Sequence, residues 1–454
     1  MTQASTLSLA GKYNVPAPRY TSYPTVPYWQ EEPPTGHQWQ RNVLETFERN
    51  QQISLYIHLP FCERLCTYCG CNTRITKNHG VEAPYLEALA AEWRQYLDLL
   101  PGKPRLKELH LGGGTPTFFQ PGRLQTFLES LLAQTTVEED AIMSFEAHPN
   151  STSTEHLQAL YEVGFRRISV GVQDFDEEIL GLINRRQTTA QVYQVTEEAR
   201  RIGYTSVNYD IIFGLPRQTS DHIRRTTDHL RGLRPERIAF YSYAHVPWMK
   251  PGQRAYSEAD LPTEAAKRAL YEDGKARLEA MGYLEIGMDH FALPGDELEM
   301  ALRQGRLHRN FMGYTPFATE LLIGLGASAI SDAFSAFVQN EKKVEDYSAA
   351  VLRGRHPIIR GHLLSEEDQF LRRQITNIMC KLETHWGRAH AGRPEIQAAR
   401  ERLREPLADG LVRLFEDGLE VTPAGRPFVR NIGMAFDARL WARQPSGRLF
   451  SQAV

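Results

Sequence analysis

From Ile53 to about Met249 the sequence alternates strand-like runs with helix-like runs, and this alternation constrains the fold more than any other feature. Ile53-Ser-Leu-Tyr-Ile-His-Leu-Pro60 is a short apolar alternation closed by proline. Leu86, Leu89, Trp93, Leu97 and Leu100 then recur at helical spacing behind Pro84, which suits a first turn. Further strand runs occupy 106–111 before a triple glycine, 141–147 before His148-Pro149, 167–173, 206–213 and 237–243. Thr152 and Glu155 give a capping-box pattern for the helix that follows the third run, and Gly164 gives its stop. Six strands, each followed by a helical or long connecting segment, predict parallel βα units. The expected fold is therefore α/β, a partial (β/α)6 barrel, either left incomplete or recruiting a further strand from Tyr283-Leu-Glu-Ile-Gly287. Right-handed crossovers put the C-terminal ends of all strands on one face, where the loops make a site.

The barrel with its C-terminal extension is expected over 51–356. Residues 1–50 contain Pro16-Ala-Pro-Arg-Tyr-Thr-Ser-Tyr-Pro-Thr25, too proline-rich for a helix, and are read as an ordered N-terminal arm. Residues 357–454 are read as a mainly helical domain that begins at the cap Ser365-Glu-Glu-Asp368. A helix end at 410–418 and a small hairpin at 419–425 give that domain a winged-helix-like pattern. The formal net charge of −3 carries no basic bias of the kind that marks nucleic-acid binding. The first residues lack a basic head followed by an apolar stretch, and no later run reaches transmembrane length, so no membrane contact and a cytoplasmic location are expected.

Directly after the first strand come four of the five cysteines, in Cys62-Glu-Arg-Leu-Cys-Thr-Tyr-Cys-Gly-Cys71. The spacing C-x3-C-x2-C offers three thiolates from one short loop, which suits a cubane iron–sulfur cluster that normally takes four. Three ligands leave one iron open, and an open position is where a reactant binds. A structural zinc knuckle is the competing reading. It usually pairs C-x2-4-C with a second Cys or His pair downstream, and here the remaining cysteine is Cys380 alone, although histidines are plentiful. A disulfide framework does not suit so dense a cluster in a long, otherwise cysteine-poor chain.

Other polar residues fall on the same predicted face. In Leu111-Gly-Gly-Gly-Thr-Pro-Thr117 the missing side chains would let backbone N–H groups approach an anion, and Thr115 adds a hydroxyl. Glu146, Gln173, Asp210 and Arg185 sit at or just after strand ends, where Glu146 can meet an amine or a ribose hydroxyl. Tyr56 and His58 alternate with Ile53, Leu55 and Ile57, giving the first strand one polar face; a ligand-facing barrel interior and a satisfied core histidine both account for it.

Taken together, these segments resemble the radical S-adenosylmethionine enzymes, and within them the oxygen-independent coproporphyrinogen III oxidases. The resemblance is carried by Tyr56-Ile-His-Leu-Pro-Phe-Cys62 with the following cysteines, Gly112-Gly-Gly-Thr-Pro116, Gly171-Val-Gln-Asp-Phe175 with Asn184-Arg185, and Asp210-Ile-Ile-Phe-Gly-Leu-Pro216. It continues through Tyr243-Ala-His-Val-Pro247, Gly287-Met-Asp-His-Phe-Ala292, Leu307-His-Arg-Asn-Phe311, Gly324-Leu-Gly-Ala-Ser-Ala-Ile330, Arg19-Tyr-Thr-Ser-Tyr-Pro-Thr25 and Arg430-Asn-Ile-Gly-Met434. It implies that Cys62, Cys66 and Cys69 hold a [4Fe–4S] cluster whose fourth iron binds S-adenosylmethionine. It also implies that a 5′-deoxyadenosyl radical initiates decarboxylation of two propionates of coproporphyrinogen III, giving the vinyl groups of protoporphyrinogen IX in haem biosynthesis.

By the same resemblance, Tyr56, Gly113, Glu146 and Ile330 contact the cluster-bound S-adenosylmethionine. Tyr68, Gly114, Thr115, Gln173, Arg185, Asp210 and Ala244 contact a second one. Cys71 matches the family's extra cysteine and is the candidate proton donor or substrate-positioning group. The expected partners are coproporphyrinogen III and an electron donor such as a flavodoxin or ferredoxin, with the chain acting as a monomer. Arg19, His290 and Arg309 are the candidates for gripping propionates. Phenylalanine is more familiar at Tyr68, an acid at His148 and a base at Asn150. Related haem chaperones usually lack the fourth cysteine and are shorter at the N-terminus, so Cys71 and 19–25 favour the oxidase. Ring-opening haem-utilisation proteins, and a non-enzymatic zinc or haem binder, are the alternatives.

Overall fold

The computed structural model describes Leu9, residues 11–443 and Phe450. The outermost residues of the expected arm and of the expected C-terminal domain lie outside these described residues. The chain divides into two units, one formed by Pro33–Asp296 with Thr319–Arg360, the other by Met1–Glu32, Glu297–Ala318 and Gly361–Val454.

In the first unit all six expected strands form: β1 (Gln52–Leu59), β2 (Arg105–Gly113), β3 (Thr136–Ala147), β4 (Arg167–Gln173), β5 (Ser206–Phe213) and β6 (Arg237–Ser242). They pair in sequence order and in parallel. Amphipathic helices connect them, including Glu82–Leu99, Pro121–Leu132, Thr154–Val163, Thr189–Ile202 and Ser220–Leu233. The N-cap of Thr154–Val163 is Ser153, whose side chain forms a capping box with His156, one residue beyond the expected Thr152 and Glu155 pair; Gly164 ends the helix at φ +121°. Thr152 instead turns its hydroxyl back to the His148 carbonyl, 2.9 Å away.

The sheet extends beyond these six at both edges. The segment anticipated near residue 283 supplies β7 (Leu284–Gly287), which pairs antiparallel with β8 (His290–Ala292), itself antiparallel to β6. On the other edge β9 (Leu321–Leu325) runs parallel to β1, in register Ile53 with Leu321 and Tyr56 with Gly324. β9 is followed by β10 (Ile330–Ala333), β11 (Ala336–Asn340) and β12 (Ile358–Leu363). The helix Gly36–Arg49, inside the segment expected to be an arm, packs on this edge: it buries Trp39, Val43 and Phe47, and Thr46 donates to the Ala333 carbonyl at 3.0 Å.

Period-2 alternation gives the six strands two different faces. Ile53, Leu55, Ile57 and Leu59 are fully buried. The alternate positions form cross-strand polar contacts: Ser54 to Glu108 at 3.4 Å, Tyr56 stacked on His110, His110 to Ser144 at 2.8 Å, and Asn208 to Ser169 at 2.8 Å. His58 uses both ring nitrogens, one toward the Tyr56 hydroxyl at 3.0 Å and one donating to the Asn72 carbonyl at 2.9 Å. It is a satisfied interior histidine that anchors the end of the cysteine loop.

Behind β1, a buried polar knot shapes the turn between β9 and β10. Gly326 adopts φ +103°, and a Cβ there would stand 2.6 Å from the His58 carbonyl oxygen. Glu92 accepts hydrogen bonds from Gly326 N–H at 2.8 Å, Asn340 at 2.7 Å and the Tyr347 hydroxyl at 2.6 Å. Tyr85 donates to the His58 carbonyl at 2.8 Å and accepts from Ala327 N–H at 2.9 Å. Burial pushes the Glu92 carboxyl up to about 7 despite those three donors. Because the folded value lies above the unfolded one of 4.5, the group's contribution to stability is full below pH 4.5 and fades as pH rises to about 7. Glu92→Gln removes this titration. Denaturant unfolding across pH 4–8 should therefore show the variant gaining on the wild type as pH rises; a constant difference would contradict the assignment.

The second unit contains part of the expected arm. Arg430 is buried and donates to the Ala17 and Pro18 carbonyls, the latter at 3.2 Å, and Tyr20 donates to Asp437 at 3.1 Å. The 16–25 segment is thus ordered by contacts to the 430–437 region. The helix Glu366–Lys381 starts at the expected Ser365 cap, in a capping box with Asp368. A three-stranded antiparallel sheet of Glu383–His385, Gly418–Val421 and Val412–Leu414 follows.

Candidate active site

At the C-terminal ends of the strands, the cysteine loop leaves β1 through Pro60 and is tied down from several directions. Phe61–Cys62 pairs in parallel with Arg74–Ile75, which closes the loop on itself. Thr67 N–H donates to the Ile183 carbonyl at 2.9 Å, and Asn184 donates to the Leu65 carbonyl at 2.7 Å. Gln253, 2% exposed, donates to the carbonyls of Tyr68 at 3.1 Å and Ala244 at 3.2 Å and accepts from Val246 N–H. This glutamine joins the cysteine loop to the segment after β6. Sequence spacing gave no sign of it, since it lies in a single 3-10 turn, Pro251–Ala255, too short to carry a periodic pattern.

The glycine turn after β2 differs from the anion cradle that its composition suggested. Gly113 N–H donates to Glu146 at 3.1 Å, Gly114 N–H to the Leu59 carbonyl at 2.8 Å and Thr115 N–H to the Phe61 carbonyl at 3.0 Å. These N–H groups are spent on the protein itself. The glycines are needed for close approach: a Cβ on Gly114 would stand 2.6 Å from the Pro60 carbonyl group, and one on Gly113, at φ +114°, would stand 2.6 Å from the His58 ring. The turn clamps the root of the cysteine loop.

A cavity of about 590 Å³ opens on this face, within the range of ligand sites. The structure brings Cys62, Cys66, Tyr68, Cys69 and Cys71 to its wall. From the ends of the other strands come Gly113, Gly114, Thr115, Glu146, Gln173 and Asp210, whereas Arg185, expected near a strand end, arrives from the turn after the helix Glu177–Leu182. Tyr56, Ala244 and Ile330 do not line it. Tyr56 stands on the interior strand face beneath, Ala244 follows β6 with its carbonyl held by Gln253, and Ile330 opens β10 with its carbonyl against Gly324. His148 does line the cavity, and accepts from Asn150 N–H at 3.1 Å.

Each of the three clustered thiols has its own polar neighbour. Cys62 Sγ is 3.3 Å from the Thr115 hydroxyl, Cys66 Sγ accepts from Arg185 at 3.6 Å, and Cys69 Sγ accepts from Cys71 N–H at 3.4 Å. Hydrogen bonds to cysteine sulfurs are a principal means by which a protein tunes an iron–sulfur centre. Among the described residues, no three His, Cys, Asp or Glu side chains converge as ligands of a single ion do. The donor set fits a cluster that takes each sulfur on a different iron. Burial pushes the Cys62 thiol up to about 12, whereas the hydrogen bond with Cys71 pulls Cys69 down to about 6 and pushes Cys71 well above its usual value.

Around the thiols the charges are arranged in opposition. Arg185 is buried and donates to the Gly171 carbonyl, to Tyr68 at 3.2 Å and to Gln187 at 2.7 Å. Burial, then Glu146, pushes the Asp210 carboxyl up to about 7 while Asn208 and Ser169 donate to it. For Glu146, burial acts upward but is outweighed by His110 and by the Gly113 N–H, so its carboxyl is held below the ordinary range. Burial, with Arg185 nearby, drives the His148 ring down to about 2, so it is neutral. Gln173 takes φ +68°, the left-handed region that a side chain avoids unless its surroundings impose it.

The parallel barrel and its cysteine-rich loop define a radical S-adenosylmethionine enzyme, and the sequence profile of the radical SAM superfamily matches residues 56–230. The chain is 38% identical to the oxygen-independent coproporphyrinogen III oxidase of Pseudomonas aeruginosa over 95% of each chain. It is 37% identical to that of Synechocystis sp. over 98% of this chain and 97% of the other. The solved coproporphyrinogen III oxidase of Escherichia coli, described as a radical SAM enzyme, superposes with a TM-score of 0.88 at 35% identity, covering 92% of this chain and 97% of that one. The chain belongs to the oxygen-independent coproporphyrinogen III oxidases. The superfamily implies a [4Fe–4S] cluster and S-adenosylmethionine. No helix among the described residues is long and apolar enough to cross a membrane.

Proposed function

We propose that this chain decarboxylates two propionates of coproporphyrinogen III to the vinyl groups of protoporphyrinogen IX, with Cys62, Cys66 and Cys69 as cluster ligands. The observation that carries this reading is the single cavity shared by those thiols and by Glu146, Gln173, Arg185 and Asp210 from four other segments. When bound, the cluster and S-adenosylmethionine supply reductive cleavage of a sulfonium and abstraction of a hydrogen atom from carbon. The protein's part is to hold and orient. With its N–H groups committed, the glycine turn, with Gly113 on the cavity wall, leaves an ammonium group to the ionised Glu146 carboxylate. Tyr56, on the strand below, and Ile330 complete our assignment of the first cosubstrate's contacts. Tyr68, Gly114, Thr115, Gln173, Arg185, Asp210 and Ala244 are assigned to a second S-adenosylmethionine. The fixed charge of Arg185 and the hydroxyl of Tyr68, 3.2 Å apart, support this, as does the strained Gln173. The loop tip, with Leu65 41% exposed, offers a flavodoxin- or ferredoxin-type donor an approach to the cluster.

Anaerobic reconstitution with iron, sulfide, S-adenosylmethionine, dithionite and coproporphyrinogen III tests the proposal. Protoporphyrinogen IX and 5′-deoxyadenosine are the expected products. An intact cluster with tight haem binding and no vinyl product would assign the chain to haem carriage instead. Cys71→Ser should retain iron and sulfide while product formation falls, because its thiol faces the cavity beside Cys69 without being a ligand in this assignment. Loss of iron from that variant would show that the ligand set is wrong.

A further inference from the structure

Beside Cys71 lies a group of cations that have no acidic partner among the described residues. Lys250 Nζ donates to the Cys71 carbonyl at 3.2 Å, and the next residue, Asn72, donates to the Lys342 carbonyl at 2.8 Å. Glu341 N–H donates to the Pro357 carbonyl at 2.6 Å, which brings the start of β12, and with it Arg360, alongside Lys342. Neighbouring cations of the same region are paired, Arg74 with Glu345 at 2.9 Å and Lys343 with Asp346 at 3.9 Å. Lys342 and Arg360 are exposed and have no acidic partner among the described residues, and Lys250, which donates to the Cys71 carbonyl, has the Cys69 thiol as its nearby negative group. Partial desolvation of its amine, then the charges of Arg360 and Lys250, holds Lys342 below its ordinary value, so each of those two lies close enough to Lys342 to repel it. In a chain with 55 acidic and 52 basic residues, acids to quench them are not scarce. Gathering like charges is unfavourable unless an anion joins them. Of the candidates Arg19, His290 and Arg309 named on sequence grounds, Arg309 is 7% exposed, donates to the Arg19 carbonyl at 3.1 Å and lies over the Tyr314 ring.

We propose that Lys250, Lys342 and Arg360 form a carboxylate-binding rim that holds propionates of the porphyrinogen next to Cys71. The proposal rests on the function read above. Coproporphyrinogen III carries four carboxylates and its product two, so a three-cation rim discriminates substrate from product by charge count as well as positioning it. Each single substitution to Gln should raise KM about fivefold and the triple variant about a hundredfold, with kcat changing less.

The test is a dithionite-driven assay, which needs no protein electron donor, combined with fluorescence titration of coproporphyrin III and its tetramethyl ester. Wild type should bind the acid form well above the ester, with affinity falling as salt rises; the triple variant should bind both alike, with little salt dependence. Cluster absorbance and S-adenosylmethionine affinity in the same samples check the fold, and Lys342→Arg should restore most of what Lys342→Gln loses. Wild type that turns over normally alongside unaltered variants would overturn the rim. Wild type that neither binds nor decarboxylates the substrate would overturn the function on which it rests.

Discussion

Cys66→Ser is expected to abolish both the iron–sulfur cluster and the reaction. A serine hydroxyl is a poor replacement for a thiolate on iron, and with three protein ligands for four irons there is no spare donor in the assigned set. Arg185 donates to Cys66 at 3.6 Å, so the variant also exchanges that contact to sulfur for one to a hydroxyl. The apoprotein should fold as before, because the cysteine is only half-buried and the loop is held by Thr67, Asn184 and Gln253. Iron and sulfide analysis after anaerobic reconstitution, with circular dichroism as the fold check, measures both halves. A variant that keeps four irons and turns over would refute the ligand set.

Gly114→Ala should come next in severity. The added methyl would stand 2.6 Å from the carbonyl carbon and oxygen of Pro60. No rotamer change relieves a collision with backbone, so either the glycine turn or the root of the cysteine loop has to shift. The overpacking should destabilise the protein by about 1–3 kcal/mol. The larger effect is on geometry, because Gly114 and Thr115 donate to Leu59 and Phe61 and thereby fix where Cys62 emerges. A displacement on the order of 1 Å commonly lowers turnover about a hundredfold. Reduced affinity for S-adenosylmethionine in equilibrium dialysis, with a changed electron paramagnetic resonance signal of the reduced cluster, is the expected signature. Unchanged affinity and turnover would mean that the loop tolerates the shift.

The six parallel strands were legible because each carries a run of apolar positions bounded by its own turn or cap, and the residues ending them were legible as a site because right-handed crossovers leave no choice of face. Edge elements were harder. The run Leu321-Leu-Ile-Gly-Leu325 is apolar throughout, and without alternation nothing in it says that it lies beside β1. The extra strand near residue 284 was visible, but its antiparallel sense depends on the hairpin to β8. At the site, the identity of cavity-lining residues followed from position after a strand, whereas the use of each atom did not. The glycine turn reads as an anion cradle until its N–H groups are seen to reach Glu146, Leu59 and Phe61. Gln253 and Glu92 escaped notice because their partners, apart from the Tyr347 hydroxyl, are carbonyl and amide groups, which carry no signature in a sequence.

The pairing of β1 with β9 has a consequence for how the protein is made. Ile53 leaves the ribosome long before Leu321, its partner. At translation rates of about 5–20 residues per second the interval is roughly tens of seconds. During that interval β1 lacks one neighbour, and Asn72 lacks the Lys342 carbonyl that later holds it. The cysteines of the nascent chain are therefore presented on a loop whose last restraints have yet to be synthesised, and closure of the β9 edge is the event that sets the cluster site in its final form.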